Sequence, residues 1–382
     1  MTRTLRLLYV LTFFGILVAL GLWSLVSFGS FSKTEQMTVL NGKFTHALEG
    51  HYDDEFPIKR LGTNLWAAVD YKLFKEGRPG VVLGRDQWLY TDEEFNPVAH
   101  GDRVEADNVA LVRAVAKRLK THNIKLVMAV VPAKARVYPE HIGDDKPAAL
   151  HADLYQQLHS QLQQAGIAAP DLLAPLEQGK QQGQVFLRTD THWTPMGADL
   201  VAKQLGSYIQ AQAPLTTDPV QYVTEAGPVQ PYKGDLTTFL PLDPLFTNLL
   251  PKPDDLSQHT TKPANDGGEG GDALFADSTV PVALVGTSYS ANPHWNFLGA
   301  LQEALHSDVV NYAEDGHGPF PPMLKFLQSD AFKANPPQVV IWEFPERYLP
   351  MNADLSAFDA KWLAELKNAQ DNTQNLAVGQ TN

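Results

Sequence analysis

Three hydrophobic patterns alternate along the 382-residue chain. The first is unbroken: LLYVLTFFGILVALGLWSLVSF, Leu7 to Phe28, runs for 22 residues without a charge. That length matches the ~20 residues a helix needs to cross a bilayer's hydrocarbon core. The second pattern has helical spacing and predicts helices over 107–123, 150–166, 194–210, about 290–306 and 323–335. The third consists of short continuous apolar runs that predict strands over 124–132, 184–188 (QVFLR), 280–286, 308–312 and 338–344. VVLGRDQWLY (81–90) reads as strand, glycine-containing turn and strand. Thr194 is placed to cap the 194–210 helix, with Pro195 at its first position. Strands that are apolar throughout and alternate with helices predict a mainly parallel sheet covered on both faces, a three-layer α/β/α fold.

The pattern divides the chain. Residues 1–30 form an N-terminal anchor, 31–80 a mixed lead-in segment, and 81–366 the α/β domain. Within that domain, 214–278 shows no sustained period and carries KPANDGGEGGD (262–272), so it reads as an insertion with a mobile loop. The polar tail 367–382 reads as disordered. There are no internal repeats. Arg3 and Arg6 precede the apolar run whereas Lys33 and Glu35 follow it, which places the N-terminus in the cytoplasm and exports the rest. No A-x-A site follows the run, which favours an uncleaved inner-membrane anchor; a cleaved signal peptide is the alternative.

Composition narrows the chemistry. With no cysteine, disulfides, thiolate metal sites and cysteine nucleophiles are excluded. A formal net charge of −13 argues against nucleic acid as a partner. It would also repel an acidic polysaccharide, but only over about a Debye length of ~8 Å, so a local basic groove still admits a polyanion.

The chemistry concentrates in two segments. FLRTDTHWTPMGADL (186–200) holds Asp190 and His192 one residue apart, after an expected strand and before a helix. VPVALVGTSYSANPHW (280–295) ends an apolar strand at Gly286 and places Ser288 at a strand-to-helix turn. Ligands of open α/β sheets bind outside the carboxyl ends of the strands, so all three side chains are expected on one rim. A serine hydroxyl needs a base to become nucleophilic. His192 fits that role, and Asp190 fits that of the carboxylate orienting the imidazole. The Ser288 N–H, with Gly316 or Gly318 of YAEDGHGPF, is placed to stabilise an oxyanion. A metal site is the alternative for the D-x-H pair, but His141, His294 and His317 show no ligand spacing, and none is expected. Lys134 and Arg136 are candidates for contacting uronate carboxylates. Tyr138 and Trp193 are candidates for stacking on a sugar, and Tyr289 for lining the pocket. Glu346 and Arg347 read as an ion pair.

DTHWTPMGADLVA and VALVGTSYS, in that order, resemble the alginate-type polysaccharide O-acetyltransferases, the AlgJ/AlgX/AlgV family with an SGNH-hydrolase-like fold. VVPAKARVYPEHI (130–142) and WEFPERYL (342–349) carry the same likeness, which covers about residues 80–350. It includes the permuted order Asp…His…Ser, whereas ordinary SGNH hydrolases place the serine first. The resemblance implies catalysis by Ser288, His192 and Asp190 and acetylation of polysaccharide hydroxyls in the periplasm. It also implies an acetyl donor supplied by a membrane-bound O-acyltransferase partner, with no cofactor. Alginate is the expected acceptor and cellulose the alternative. A carbohydrate esterase and a non-catalytic scaffold of the acetylation complex are the competing functions.

Overall fold

The computed structural model describes residues 3–32, 42–147, 150, 153–264 and 280–368. Lys33 and Glu35, most of the KPANDGGEGGD loop and nearly all of the 367–382 tail lie outside these residues. The chain forms two compact units, residues 1–78 with 238–250, and 79–237 with 251–382.

In the first unit, Arg3–Ser24 is a 22-residue helix, long and apolar enough to cross a membrane, with no buried face along its apolar window. Helices Lys43–Asp54 and Pro57–Val69 follow, the second continuing as a π-helical turn over Asp70–Phe74. Much of the lead-in segment is therefore helical. Asn64 Nδ2 donates to the Pro241 carbonyl at 2.6 Å and ties the 57–69 helix to the returning 238–250 segment.

The second unit opens with the antiparallel hairpin β1 (Val81–Leu83) and β2 (Leu89–Thr91). The remaining strands are β3 (Lys125–Val131), β4 (Tyr222–Tyr232), β5 (Asp254–Pro263), β6 (Val282–Val285), β7 (Val309–Asn311) and β8 (Val339–Pro345). The main sheet is parallel throughout, in the order β3-β8-β6-β7. Every residue of β6 and β8 is buried, as the unbroken apolar runs require when both faces are covered. Helices Gly101–Thr121, Leu154–Gln164, Pro195–Gln212, Phe297–Leu305 and Phe320–Gln328 connect and cover the strands. A Cβ on Gly206 would lie 2.8 Å from the Ala304 carbonyl oxygen, so the 195–212 and 297–305 helices approach at a distance only glycine permits.

Several expected elements differ. QVFLR is not a strand: Val185, Phe186 and Leu187 are fully buried, but the segment makes only an isolated bridge between Phe186 and Trp193. Its apolar run reflects burial of a loop. The expected 290–306 helix is three short pieces, Ser288–Ala291, Pro293–Trp295 and Phe297–Leu305, broken where Pro293 starts a new turn and Asn296 adopts φ 52°. The 323–335 helix is likewise two, Phe320–Gln328 and Asp330–Ala334, the second capped by Ser329. Finally, the aperiodic insertion contains a long antiparallel ribbon, β4 with β5, bulged between Ala226 and Val229.

Candidate active site

The serine is presented by β6. Thr287 caps the four-residue helix Ser288–Ala291, so the chain turns sharply just beyond the carboxyl end of the sheet. Glu343 on neighbouring β8 fixes the turn. Its carboxylate accepts from Thr287 N at 2.7 Å, from Thr287 Oγ1 at 3.0 Å and from Ser290 Oγ at 3.0 Å. Burial pushes the Glu343 carboxyl upward and these hydrogen bonds oppose it. A Cβ on Gly286 would fall 2.4 Å from Glu343 Oε2, so only glycine lets the carboxylate approach the loop.

The Asp190–His192 segment is a tight loop closed by Leu187 N to His192 O (3.1 Å) and Thr194 N to Val185 O (3.0 Å). Thr194 Oγ1 accepts from Gly197 N at 3.1 Å and starts the following helix. The loop is held from beneath by Lys134, 1% exposed, whose ammonium donates to the carbonyls of Leu89 (2.6 Å), Arg188 (3.0 Å) and Asp190 (2.8 Å). The β4–β5 ribbon braces it from the other side. Asp254 accepts from the N–H groups of Arg188 and Thr189 at 2.9 and 2.8 Å, and Tyr232 OH donates to Asp190 Oδ2 at 3.2 Å.

These two supports bring the three side chains together. His192 Nε2 lies 2.7 Å from Ser288 Oγ, and His192 Nδ1 lies 2.7 Å from Asp190 Oδ1. Asp190 Oδ1 also accepts from His192 N at 2.9 Å, and Oδ2 from Asp235 N at 2.9 Å. Burial works to raise the Asp190 carboxyl, but the His192 hydrogen bond and charge, with the Asp235 and His192 amides, outweigh it and hold it at about 2. The imidazole packs against the Trp295 ring, 5.1 Å between centroids and 21° from parallel. Asp190 is 1% and His192 8% exposed, whereas Ser288 is half-buried. Ser288 is thus the most exposed of the three residues.

Asp235 was invisible to motif reasoning. Its Oδ1 accepts from Thr191 N at 2.8 Å and its Oδ2 sits 3.7 Å from His192 Nδ1, a second carboxylate beside the same nitrogen. Burial and the neighbouring Asp190 charge push its carboxyl upward. It follows Gly234, where a Cβ would lie 2.2 Å from Thr189 O and 2.6 Å from Asp190 N. Gly234→Ala must therefore displace the D-x-H loop. We expect a destabilisation of about 1–3 kcal/mol from overpacking and a loss in kcat/KM on the order of 10²-fold from misplaced reacting groups. Thermal unfolding and steady-state kinetics check both.

The substrate-contact candidates are mostly structural. Trp193 (0% exposed) packs on Tyr289 and Phe297, and Tyr289 (1%) donates to the Thr191 carbonyl at 2.8 Å. Tyr138 is buried, its hydroxyl accepting from Val185 N at 3.0 Å. Lys134 is consumed by its three carbonyls. Arg136 is clasped by Glu346 through Nε–Oε1 at 2.7 Å and Nη2–Oε2 at 3.0 Å. That contact also corrects the Glu346–Arg347 pairing: Arg347 reaches Glu93 instead, at 2.8 Å. Gly316 and Gly318 adopt φ 74° and 66° in the turn after β7, with Gly318 against the Tyr348 ring. This turn is fastened to the serine loop by Asn311 Nδ2 to Ser290 O (2.8 Å) and Glu314 N to Gly286 O (3.1 Å).

Among the described residues, Asp190, His192 and Asp235 are grouped closely enough to hold a metal ion, with donor atoms within 4.8 Å of one another. The imidazole's two nitrogens, however, already face Asp190 and Ser288. Among the described residues, His141, His294 and His317 do not join them as ligands. His141 stacks on Trp88, His317 sits beside Glu314, and His294 packs on Tyr232 and Trp295.

Comparison with known proteins assigns the domain that carries this site. The family model for the SGNH hydrolase-like domain of the acetyltransferase AlgX matches residues 81–346. The chain is 68% identical over 378 residues to the probable alginate O-acetylase AlgJ of Pseudomonas syringae pv. tomato, covering 99% of this chain and 97% of that relative. Among solved structures it is similar to the O-acetyltransferase domain of Pseudomonas putida AlgJ, with 61% identity, TM-score 0.71, 76% of this chain and 100% of that one covered. It is also similar to Pseudomonas aeruginosa AlgX, with 25% identity, TM-score 0.54, and 79% and 70% covered. The family-model match over residues 81–346 and the 68% identity across nearly the whole sequence place this chain in the SGNH hydrolase-like acetyltransferase family of AlgX and AlgJ.

Proposed function

We propose that the protein acetylates hydroxyl groups of exported alginate through an acetyl-Ser288 intermediate. The observation that carries the reading is the continuous relay Asp190–His192–Ser288, with 2.7 Å at both contacts. His192 Nε2 takes the hydroxyl proton as Ser288 Oγ attacks the acetyl carbonyl of the donor. The C–O bond formed leaves a tetrahedral oxyanion, which the Ser288 N–H stabilises, with Gly316 or Gly318 contributing a second donor. Collapse breaks the bond to the leaving group, which takes the proton from His192. A sugar hydroxyl then gives its proton to His192 as it attacks the acetyl carbon; the bond to Ser288 Oγ breaks, Oγ takes that proton back from His192, and the sugar leaves as the acetyl ester.

The acceptor follows from relatives named as alginate O-acetylases. The helix Arg3–Ser24 supports an inner-membrane anchor with the catalytic unit in the periplasm. The acetyl donor comes from a membrane-bound O-acyltransferase partner, and the protein's part is transfer, without a cofactor of its own. Tethering at the membrane raises the effective concentration of donor and enzyme for each other. A deletion strain complemented with the wild-type chain should export acetylated alginate, and one carrying His192→Ala should export alginate without acetyl groups. Restoration of acetylation by His192→Ala would assign the chain a scaffolding role instead.

Asp235 stabilises the imidazolium electrostatically in this scheme. A carboxyl raised by burial and a like charge is stabilising while protonated, and its ionisation costs the fold above that raised value. At neutral pH Asp235→Asn is therefore expected to leave the unfolding temperature unchanged or higher, while lowering kcat/KM about tenfold. Parallel melting and rate measurements test this opposition. A lower melting temperature at neutral pH would contradict it.

A further inference from the structure

Outside the anchor region, five of the eight large apolar side chains exposed among the described residues lie between 61 and 74: Leu61, Leu65, Trp66, Leu73 and Phe74. Trp66 is 65% and Leu73 73% exposed. Such a concentration marks an interaction surface. The helix has a packed side as well, since Asn64 and Ala68 are buried. The exposed apolar groups are thus a second face, left uncovered by the fold.

The surrounding charge identifies the occupant. Residues 57–78 contain five basic side chains against two carboxylates, in a chain whose net charge is −13. Lys59 pairs with Asp53, while Arg60, Lys72, Lys75 and Arg78 are exposed beside the apolar groups. Leucine, tryptophan and phenylalanine flanked by lysine and arginine suit a bilayer interface, where rings and aliphatic chains enter the headgroup boundary and cations meet anionic lipid. Location agrees: the 57–69 helix contacts the Arg3–Ser24 helix within one compact unit. We propose that residues 57–78 lie on the membrane surface, seated on anionic phospholipid. This rests on reading Arg3–Ser24 as a membrane span, and adds a second, lateral attachment.

The absence of cysteine provides a clean probe, because one introduced thiol labels one site. The full-length chain bearing Trp66→Cys or Leu73→Cys, coupled to an environment-sensitive fluorophore, would be reconstituted in phosphatidylcholine vesicles with and without phosphatidylglycerol. Gln163→Cys, on an exposed helical position of the catalytic unit, is the reference. We expect blue-shifted emission at 66 and 73, quenching by brominated acyl chains and protection from iodide, all stronger with phosphatidylglycerol and weaker in Lys72→Glu/Lys75→Glu. The reference probe should remain open to iodide. A chain that floats with vesicles while its probes at 66 and 73 are quenched by iodide keeps the anchor and overturns surface docking. Probes shielded from both quenchers mean that protein covers the face, which also overturns it. A chain that fails to float overturns both readings.

Discussion

Ser288→Ala is expected to lower acetyl transfer by on the order of 10⁴–10⁶-fold, because loss of the nucleophile removes the covalent route and leaves only binding and oxyanion stabilisation. The variant should fold: Ser288 is half-buried, and the Glu343 contacts that hold its loop come from Thr287 and Ser290. Incubated with an activated acetyl ester, the wild-type chain should gain the mass of one acetyl group on Ser288, and the variant none. His192→Ala should cost a similar amount, and the double variant little more, since the two residues act as one unit. Acetyl labelling that persists elsewhere on the Ser288→Ala chain would show that the relay is not the path.

The second large effect is on stability. Lys134→Met keeps the length and apolar stem of the side chain but deletes the donors serving the carbonyls of Leu89, Arg188 and Asp190, of which, among the described residues, only Arg188 O keeps another partner, the Leu89 N–H at 2.9 Å. Leaving buried acceptors unpaired costs about 1–3 kcal/mol each, with imperfect additivity, so a total of about 2–4 kcal/mol is expected from the Leu89 and Asp190 carbonyls. Burial brings the Lys134 ammonium down to about 8, against the pull of Asp190 and other carboxylates, so it remains charged at neutral pH. The same change frees the Asp190 backbone, and activity should fall even at temperatures where the variant stays folded. Denaturant unfolding gives the first quantity and kcat/KM the second. A loss below about 1 kcal/mol would mean that water takes over the Leu89 and Asp190 carbonyls.

The site's chemistry was legible because it is local. The D-x-H segment and the serine turn each hold their functional groups within a few residues, and the strand-to-helix transition after β6 told where the serine emerges. The supports were not legible. Asp235, Tyr232 and Asp254 lie in or beside a ribbon whose strands expose most of their residues, so no alternation of apolar and polar positions betrays them. Lys134 and Arg136 look like surface cations by composition. Only the fold shows that their partners stand as far off in sequence as Asp190 and Glu346. QVFLR misled in the opposite sense, because complete burial made a loop as apolar as a strand.

The order β3-β8-β6-β7 also sets a schedule for maturation. The strand made last lies between two made earlier, so β3 and β6 share no neighbour until residues 339–345 slot between them. Glu343, which clamps the nucleophile's loop, enters with that same strand. A polypeptide made from its amino terminus therefore cannot complete this centre until residues 339–345 have been added, so the nucleophile's loop stays unclamped for most of synthesis.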